Sequence, residues 1–339
     1  MKLTATNLEI ASSCLVRGKI EEEGEFTVPA KLFFDYVSLL PSEPVDLEVV
    51  DRVLHIHSGT YSTKMNGLPA SEFPLIPPVA GGVNYRLPAE PLRAAISQVL
   101  FAVAANEARP ELSGVCVRFQ DPATGVGKAA LAATDSYRLA ERMVEVTGPA
   151  EPRTVIIPAR TMSEIGRIIS VSKDDVETPE NVEFVSADNQ LLVRIGSIEL
   201  TSRTIDGRYP DYRQIIPTQF KTEVRVDVSS LSKAVKTASL FSRTGLFDVH
   251  LVFSASEKTI TVKGADTARG ENVVTIPAEV KGEDNAVTVN YRYLLDGLAA
   301  SGEPIVDLRL IDAMNPCLVT PHSESSKIDY LYIVMPIKQ

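Results

Sequence analysis

Along most of this chain apolar and polar residues alternate with a period of two, and five stretches switch to helical spacing. Leu92, Ala95, Ile96 and Leu100 fall on one helix face, as do Leu231, Ala234, Val235 and Ala238. The pattern predicts helices over residues 29–40, 89–104, 159–170, 228–243 and 290–300. Between them lie short alternating strands with no long parallel-sheet runs, so each unit reads as α+β rather than βαβ.

The pattern recurs three times. Phe26-Thr27-Val28-Pro29-Ala30-Lys31, Val155-Ile156-Ile157-Pro158-Ala159-Arg160 and Val287-Thr288-Val289-Asn290-Tyr291-Arg292 are each a β-run entering a helix. They are offset by 129 (155 − 26) and 132 (287 − 155) residues. Ahead of each helix lies a strand and turn: Leu3 to Asn7, Leu131 to Asp135, and Val262 to Asp266. Behind it come strands opening at Val45, Val182 and Val306. Two repeats close on related turns, Leu68 to Pro74 and Ile205 to Pro210. Pro- and Gly-bearing stretches at 74–82 and 217–222 separate the repeats and predict domains over 1–80, 81–217 and 218–339. The second and third repeats carry an earlier helix that the first lacks. Thr134 follows Tyr85 by 49 residues and Ala265 follows Val224 by 41, whereas Thr6 follows Met1 by 5. The first repeat is therefore expected to be incomplete, short at its front by about 36 to 44 residues (41 − 5 and 49 − 5).

Composition refines this picture. The chain has 339 residues, 44% apolar and 23% charged, which suits two or three soluble domains. It shows no signal-peptide core and no apolar run long enough to cross a bilayer, so a cytoplasmic location is expected. Cys14, Cys116 and Cys317 are scattered singly, as reduced thiols in a reducing compartment are.

The net charge is −10, but its distribution is uneven. The predicted helices hold eight basic residues, Lys31, Arg93, Arg160, Arg167, Lys233, Lys236, Arg243 and Arg292, against four acids, Asp35, Glu90, Glu164 and Asp296. The rest of the chain holds 26 basic against 40 acidic residues (34 − 8 and 44 − 4). Basic helix faces set off the apolar stripes are either solvated surface or a lining that meets phosphates without reading bases.

Signals for catalysis are weak. Gly125-Val126-Gly127-Lys128 resembles the end of a phosphate loop, but Pro122 and Ala129 stand where Gly and Ser or Thr are required. His55 and His57 share a strand face without a further ligand placed by sequence, so no metal or cofactor is expected. Neither a nucleophile elbow nor a spaced carboxylate pair is found.

Three segments, Ala133-Thr134-Asp135-Ser136-Tyr137-Arg138-Leu139-Ala140, Asp206-Gly207-Arg208-Tyr209-Pro210-Asp211-Tyr212 and Tyr332-Ile333-Val334-Met335-Pro336-Ile337, resemble the bacterial DNA sliding clamp family, DNA polymerase III subunit beta. The likeness runs along nearly the whole chain. It implies three like-folded clamp domains, two subunits joined head to tail in a ring, and helices facing duplex DNA in a central hole. It further implies a non-catalytic protein whose partners, the replicative and repair polymerases and the clamp loader, dock short peptides between the second and third domains. Carried over by position, that cleft comprises Leu112, Thr134, Tyr137, Arg138, Leu139, Pro210, Gln214, Ile215, Leu246, Asn290, Tyr293, Met314, Val334, Met335 and Pro336. Gln214 and Leu246 stand where some relatives carry a basic residue and an aromatic one. The dimer surfaces would be Tyr61, Thr63 and Met65 in the first domain and Leu240 and Phe241 in the third. A clamp-like adaptor that binds peptides without closing a ring is the alternative.

Overall fold

The computed structural model describes residues 1–105, 108–121, 127–172, 179–323 and 329–338. Pro122, Gly125 and Val126 of the phosphate-loop-like stretch lie outside the described residues.

A helix forms at each predicted place: α1 (Ala30–Ser38), α2 (Ala89–Val99), α3 (Ala159–Val171), α4 (Val228–Ser239) and α5 (Tyr291–Ala300). Pro29, Pro88 and Pro158 begin the first three in extended conformation, where a missing N–H costs nothing. The other two have side-chain caps, with Asp227 accepting from the Ser230 N–H and Asn290 from the Arg292 N–H. Two ends differ from expectation. α2 gives way after Val99 to a 3-10 turn, Leu100–Ala102. α4 stops at Ser239, because the next N–H groups bond three residues back and Asp248 draws Arg243 away through its backbone N–H and guanidinium. Leu240, Phe241 and Arg243 therefore follow the helix instead of lying on it.

The sheets run on across the expected domain limits. In one of six strands, Ile10–Leu15 of the first repeat pairs with Ile198–Arg203 of the second. In one of nine, Arg138–Glu145 of the second repeat pairs with Tyr330–Val334 of the third. A four-stranded sheet ends on the free edge Gly270–Pro277, and a three-stranded sheet on the free edge Tyr61–Asn66. All the pairings are antiparallel, as the alternation required.

Between helices and sheets runs one apolar core through the second and third repeats. α2 packs on α3 and α4 on α5. The first repeat is thinner: only Leu54, Ile56 and Met65 form its buried cluster. α1 has no buried residue, and Phe34 is 70% exposed. The strand Asp46–Val50 keeps an open edge where Asn181–Ser186 and Ile305–Leu310 have partners.

An identical turn recurs in every repeat. The Asn7 side chain accepts from the N–H groups of Glu9 and Ile10, Asp135 from Tyr137 and Arg138, and Asp266 from Ala268 and Arg269. In the first two repeats it launches the strand that crosses to the next domain.

Candidate functional site

The residues expected to form a cleft gather around the junction of the second and third repeats. Thr134, Tyr137 and Arg138 belong to the Asp135 turn. Thr134 donates its backbone N–H to the Tyr209 hydroxyl and its own hydroxyl to the Arg138 carbonyl. Across the junction Val334 pairs with Arg138, and the Met335 N–H donates to the Tyr137 carbonyl at 2.9 Å. Pro336 bridges to Val289, next to Asn290. Leu112 and Leu139 are fully buried with Tyr209, Tyr212 and Ile333, forming a floor against which Met335 packs. Above it Tyr137 is 64% exposed, and Ile215, Leu246 and Met314 also present apolar surface to solvent. Gln214 donates to Asp211 within its own turn. Such an apolar floor with exposed Met, Ile and Leu rims and a few polar groups suits a short peptide with bulky anchors.

Three of the expected residues show little or no surface. Val334 is buried with no surface of its own, so it supports the floor from within, as do Leu112 and Leu139. Arg138, expected to line the cleft, has a side chain only 12% exposed. Its guanidinium donates to Asp135 at 2.9 Å, to Asp296 of α5 at 2.5 Å and to the Phe101 carbonyl at 2.7 Å. It also stacks 4.5 Å from the Tyr293 ring. A planar, permanently charged group with several fixed donors suits a junction of this kind, and Arg138 clips one domain to the other. Met65, expected at the dimer surface, is only 4% exposed and belongs to the first domain's core. Tyr61 is exposed, Thr63 partly so, Leu240 is 67% exposed and Phe241 is half-buried.

Sequence reasoning missed the polar cluster beneath the linker between these domains. The Tyr212 hydroxyl donates to Glu141, Arg213 meets Asp121 at 2.7 Å, and the Arg118 guanidinium lies 4.8 Å over the Tyr212 ring. Burial pushes the Glu141 carboxyl above the usual carboxylate range, against the pull of Tyr212 and Arg213. The cluster fixes the segment that carries Pro210, Gln214 and Ile215. The Tyr209–Pro210–Asp211–Tyr212 motif was visible, but Glu141 lies 71 residues away in sequence from Tyr212.

The basic helix residues divide by their partners. Arg93 pairs with Glu90, Arg167 with Glu164, Arg160 with Glu9 and Arg243 with Asp248. Arg292 stacks 3.7 Å over Phe247. Lys31, Lys233 and Lys236 have no ion-pair partner among the described residues. Lys233 and Lys236, with Ser229, Ser232, Thr237 and Leu240, line an open depression along α4. The predicted charge is thus present, but the least compensated part of it lies on α4.

His55 and His57 stand directly opposite Glu48 and Asp46 on the adjacent strand, a pairing the sequence did not disclose. No group of three or more potential ligands suited to a metal forms among the described residues. Cys116 and Cys317 are buried thiols pushed up to about 11 and about 12 by desolvation, which leaves them unreactive at neutral pH. No helix among the described residues is long and apolar enough to cross a membrane.

Comparison with known proteins bears on the whole chain. Family models for the DNA polymerase III beta subunit match in order: its N-terminal domain over residues 1–77, its central domain over 86–211 and its C-terminal domain over 213–338. The chain is 30% identical to the beta sliding clamp of Synechococcus elongatus over 343 residues, covering 100% of this chain and 88% of that one. It is 28% identical to the beta sliding clamp of Staphylococcus epidermidis, covering 94% and 81%. Among solved structures, a DNA polymerase sliding clamp from Pseudomonas aeruginosa superposes with a TM-score of 0.90 at 26% identity, covering 100% of this chain and 89% of that one. The Bacillus subtilis sliding clamp gives 0.89 at 27%, covering 100% and 88%. Three repeats, three matched domains in order and agreement over the full chain lead to one conclusion: this chain belongs to the DNA polymerase III beta subunit family, the bacterial beta sliding clamps.

Proposed function

We propose that two copies of this chain close head to tail around duplex DNA in the cytoplasm and hold the replicative polymerase on its template. The protein is a processivity subunit and not itself a catalyst. The clamp loader and repair polymerases would reach it through short peptides laid in the cleft between the second and third domains.

One observation carries the ring: the sheet crosses both internal domain boundaries in the same register. Met65, Ser202 and Val334 are equivalent, facing Leu54, Leu191 and Cys317 in successive hairpins. At the first boundary Ser202 pairs with Ile10, and at the second Val334 pairs with Arg138. Ile10 and Arg138 follow the Asn7 and Asp135 turns by the same three residues. What remains is a matched pair of free edges, Tyr61–Asn66 and Gly270–Pro277. On the first, Thr63 and Met65 face inward; on the second, Asn272, Val274 and Ile276 do. Residues directly opposite in a sheet share a face. Met65 of one copy then falls opposite Gly270 of the other, Thr63 opposite Asn272 and Tyr61 opposite Val274. Lys64 meets Glu271, which is a favourable cross-strand pair. Two unlike, complementary edges at opposite ends of a subunit are what a closed heterologous ring requires.

The charge distribution supports the DNA reading. Unpaired Lys31, Lys233 and Lys236 offer phosphate contacts without base selectivity. A net-negative remainder discourages DNA from binding elsewhere. A closed ring needs little affinity, since topology keeps it on the duplex while water-bridged contacts let it move.

The test is the mass in solution. The ring predicts twice 36.8 kDa at micromolar concentration, and Lys64→Pro, which removes a backbone donor pointing out of the hairpin along the free edge, should shift the equilibrium to monomer. A wild-type monomer would favour the open adaptor.

A further inference from the structure

We propose that the ring, if it closes as above, is locked at each closing edge by an ion pair between Arg269 of one copy and the partner's Asp35. This rests on the head-to-tail reading and adds a specific residue pair to it. The pair repeats a contact already present inside the chain. Arg138 is the third residue after Asp135, and its guanidinium crosses the junction to Asp296 of α5 at 2.5 Å. Asp296 is the sixth residue of α5, and the sixth residues of α1 and α3 are also acids, Asp35 and Glu164. The third residue after the recurring turn is Ile10 in the first repeat, Arg138 in the second and Arg269 in the third.

Each boundary can therefore be checked in turn. Between the first and second domains the turn offers Ile10, and its counterpart Glu164 turns instead to Arg167 at 2.6 Å. That boundary uses a reversed pair, Glu9 with Arg160 at 3.5 Å. Between the second and third domains the turn offers Arg138, and Asp296 receives it. At the closing edge the turn offers Arg269 and the helix offers Asp35.

Both closing groups are exposed, and neither has an ion-pair partner among the described residues. Arg269 reaches toward the end of α4, where it donates to the Thr244 hydroxyl at 3.2 Å. Arg138 likewise reaches the segment after α2, at the Phe101 carbonyl. Leu240, nine residues after Leu231, holds the place of Phe101, nine after Leu92. It is exposed at the free edge, whereas Phe101 packs with its ring tilted against Tyr332 at the internal junction. Ala265 pairs with Glu271, six residues on, where its counterpart Thr134 pairs with Leu139, five residues on, so the third turn carries one residue more. Gly270, at φ 96°, absorbs it in a conformation that other residues reach only with strain.

The consequence is a ring whose closing edges respond to salt more than its internal junctions do. Each closing pair forms only on assembly, and a head-to-tail dimer contains two of them.

The experiment is a charge swap read by dimer dissociation in the full-length protein. Arg269→Asp and Asp35→Arg each place like charges at both edges. A loss of about 5-fold per edge, the scale of a surface ion pair, becomes about 25-fold for the ring. The doubly swapped protein should recover most of that loss, and raising the salt concentration should shrink the difference among all four proteins. Unchanged dissociation in the single variants, or a double variant worse than either, would overturn the pair while leaving the dimer standing. A wild-type chain that stays monomeric would remove the ring and the pair together. Because both side chains are exposed, folding is checked by an unchanged circular dichroism spectrum.

Discussion

Replacing Arg138 by methionine should open the junction between the second and third domains while leaving each domain folded. Methionine retains the apolar contact with the Tyr293 and Phe101 rings but removes all of the donors. The structure indicates which acceptors would be left wanting. Asp296 is about half exposed and returns to water at little cost. Asp135 keeps the backbone N–H groups of Tyr137 and Arg138 on one oxygen and loses the guanidinium from the other. The Phe101 carbonyl loses the 2.7 Å bond from Arg138. Two partly buried acceptors left short, at about 1–2 kcal/mol each, give a cost of about 2–4 kcal/mol. The readout is amide hydrogen exchange at Met335 and along Tyr330–Val334, the strand that spans the junction. If exchange there proceeds through opening of the junction, protection should fall by about 30- to 900-fold. Peptide affinity should fall with it, since both cleft walls depend on the same register. Protection in that strand within about 3-fold of wild type would refute the argument. Strand pairing alone would then hold the domains together.

Gly297→Ala should destabilise the third domain, because the new Cβ would lie 2.2 Å from carbons of the buried Tyr332 ring. Overpacking of about 1–3 kcal/mol outweighs the helix-propensity gain of about 1 kcal/mol, and the denaturation midpoint reports the balance. Changing Lys233 and Lys236 together to Glu should weaken DNA binding alike for all sequences. The slope of log affinity against log salt should become shallower by about 2 for each subunit whose α4 meets the DNA, read by fluorescence titration. Glu141→Gln should flatten the pH dependence of stability. The Glu141 pKa is raised on folding, so its contribution is full below the usual carboxylate range and declines as pH rises through the folded value. A wild-type midpoint that fails to fall relative to the Gln variant between about pH 4 and about pH 8 would contradict this.

Local features were legible in the sequence, and distant partnerships were not. The Leu92, Ala95, Ile96 and Leu231, Ala234, Val235 stripes placed their helices correctly, because burial of one face imposes its period directly. The end of α4 was overestimated by four residues, since what stops it is a salt bridge from Arg243 to Asp248 rather than a helix breaker. The repeat was visible at three levels, but that sheets would run on across its boundaries was not. Nothing in Ile10–Leu15 announces that its neighbour is Ile198–Arg203. The cleft followed the same rule. The Thr134 to Leu139 turn was identified by its motif, but Arg138 could not be assigned to the junction without Asp296, 158 residues away. The positive helix surface was inferred from counting charges, and the structure narrows it, since several of the arginines counted are paired with nearby carboxylates.

The claim that the protein encircles DNA is tested most directly by topology. The protein, loaded onto a nicked circular duplex and freed of the loader, is followed by gel filtration before and after the circle is cut once. The ring predicts co-elution with the closed circle, resistant to moderate salt, and loss when the DNA becomes linear. Equal retention on circular and linear DNA, or loss from both as salt rises, would show binding to the surface of the duplex and contradict the ring.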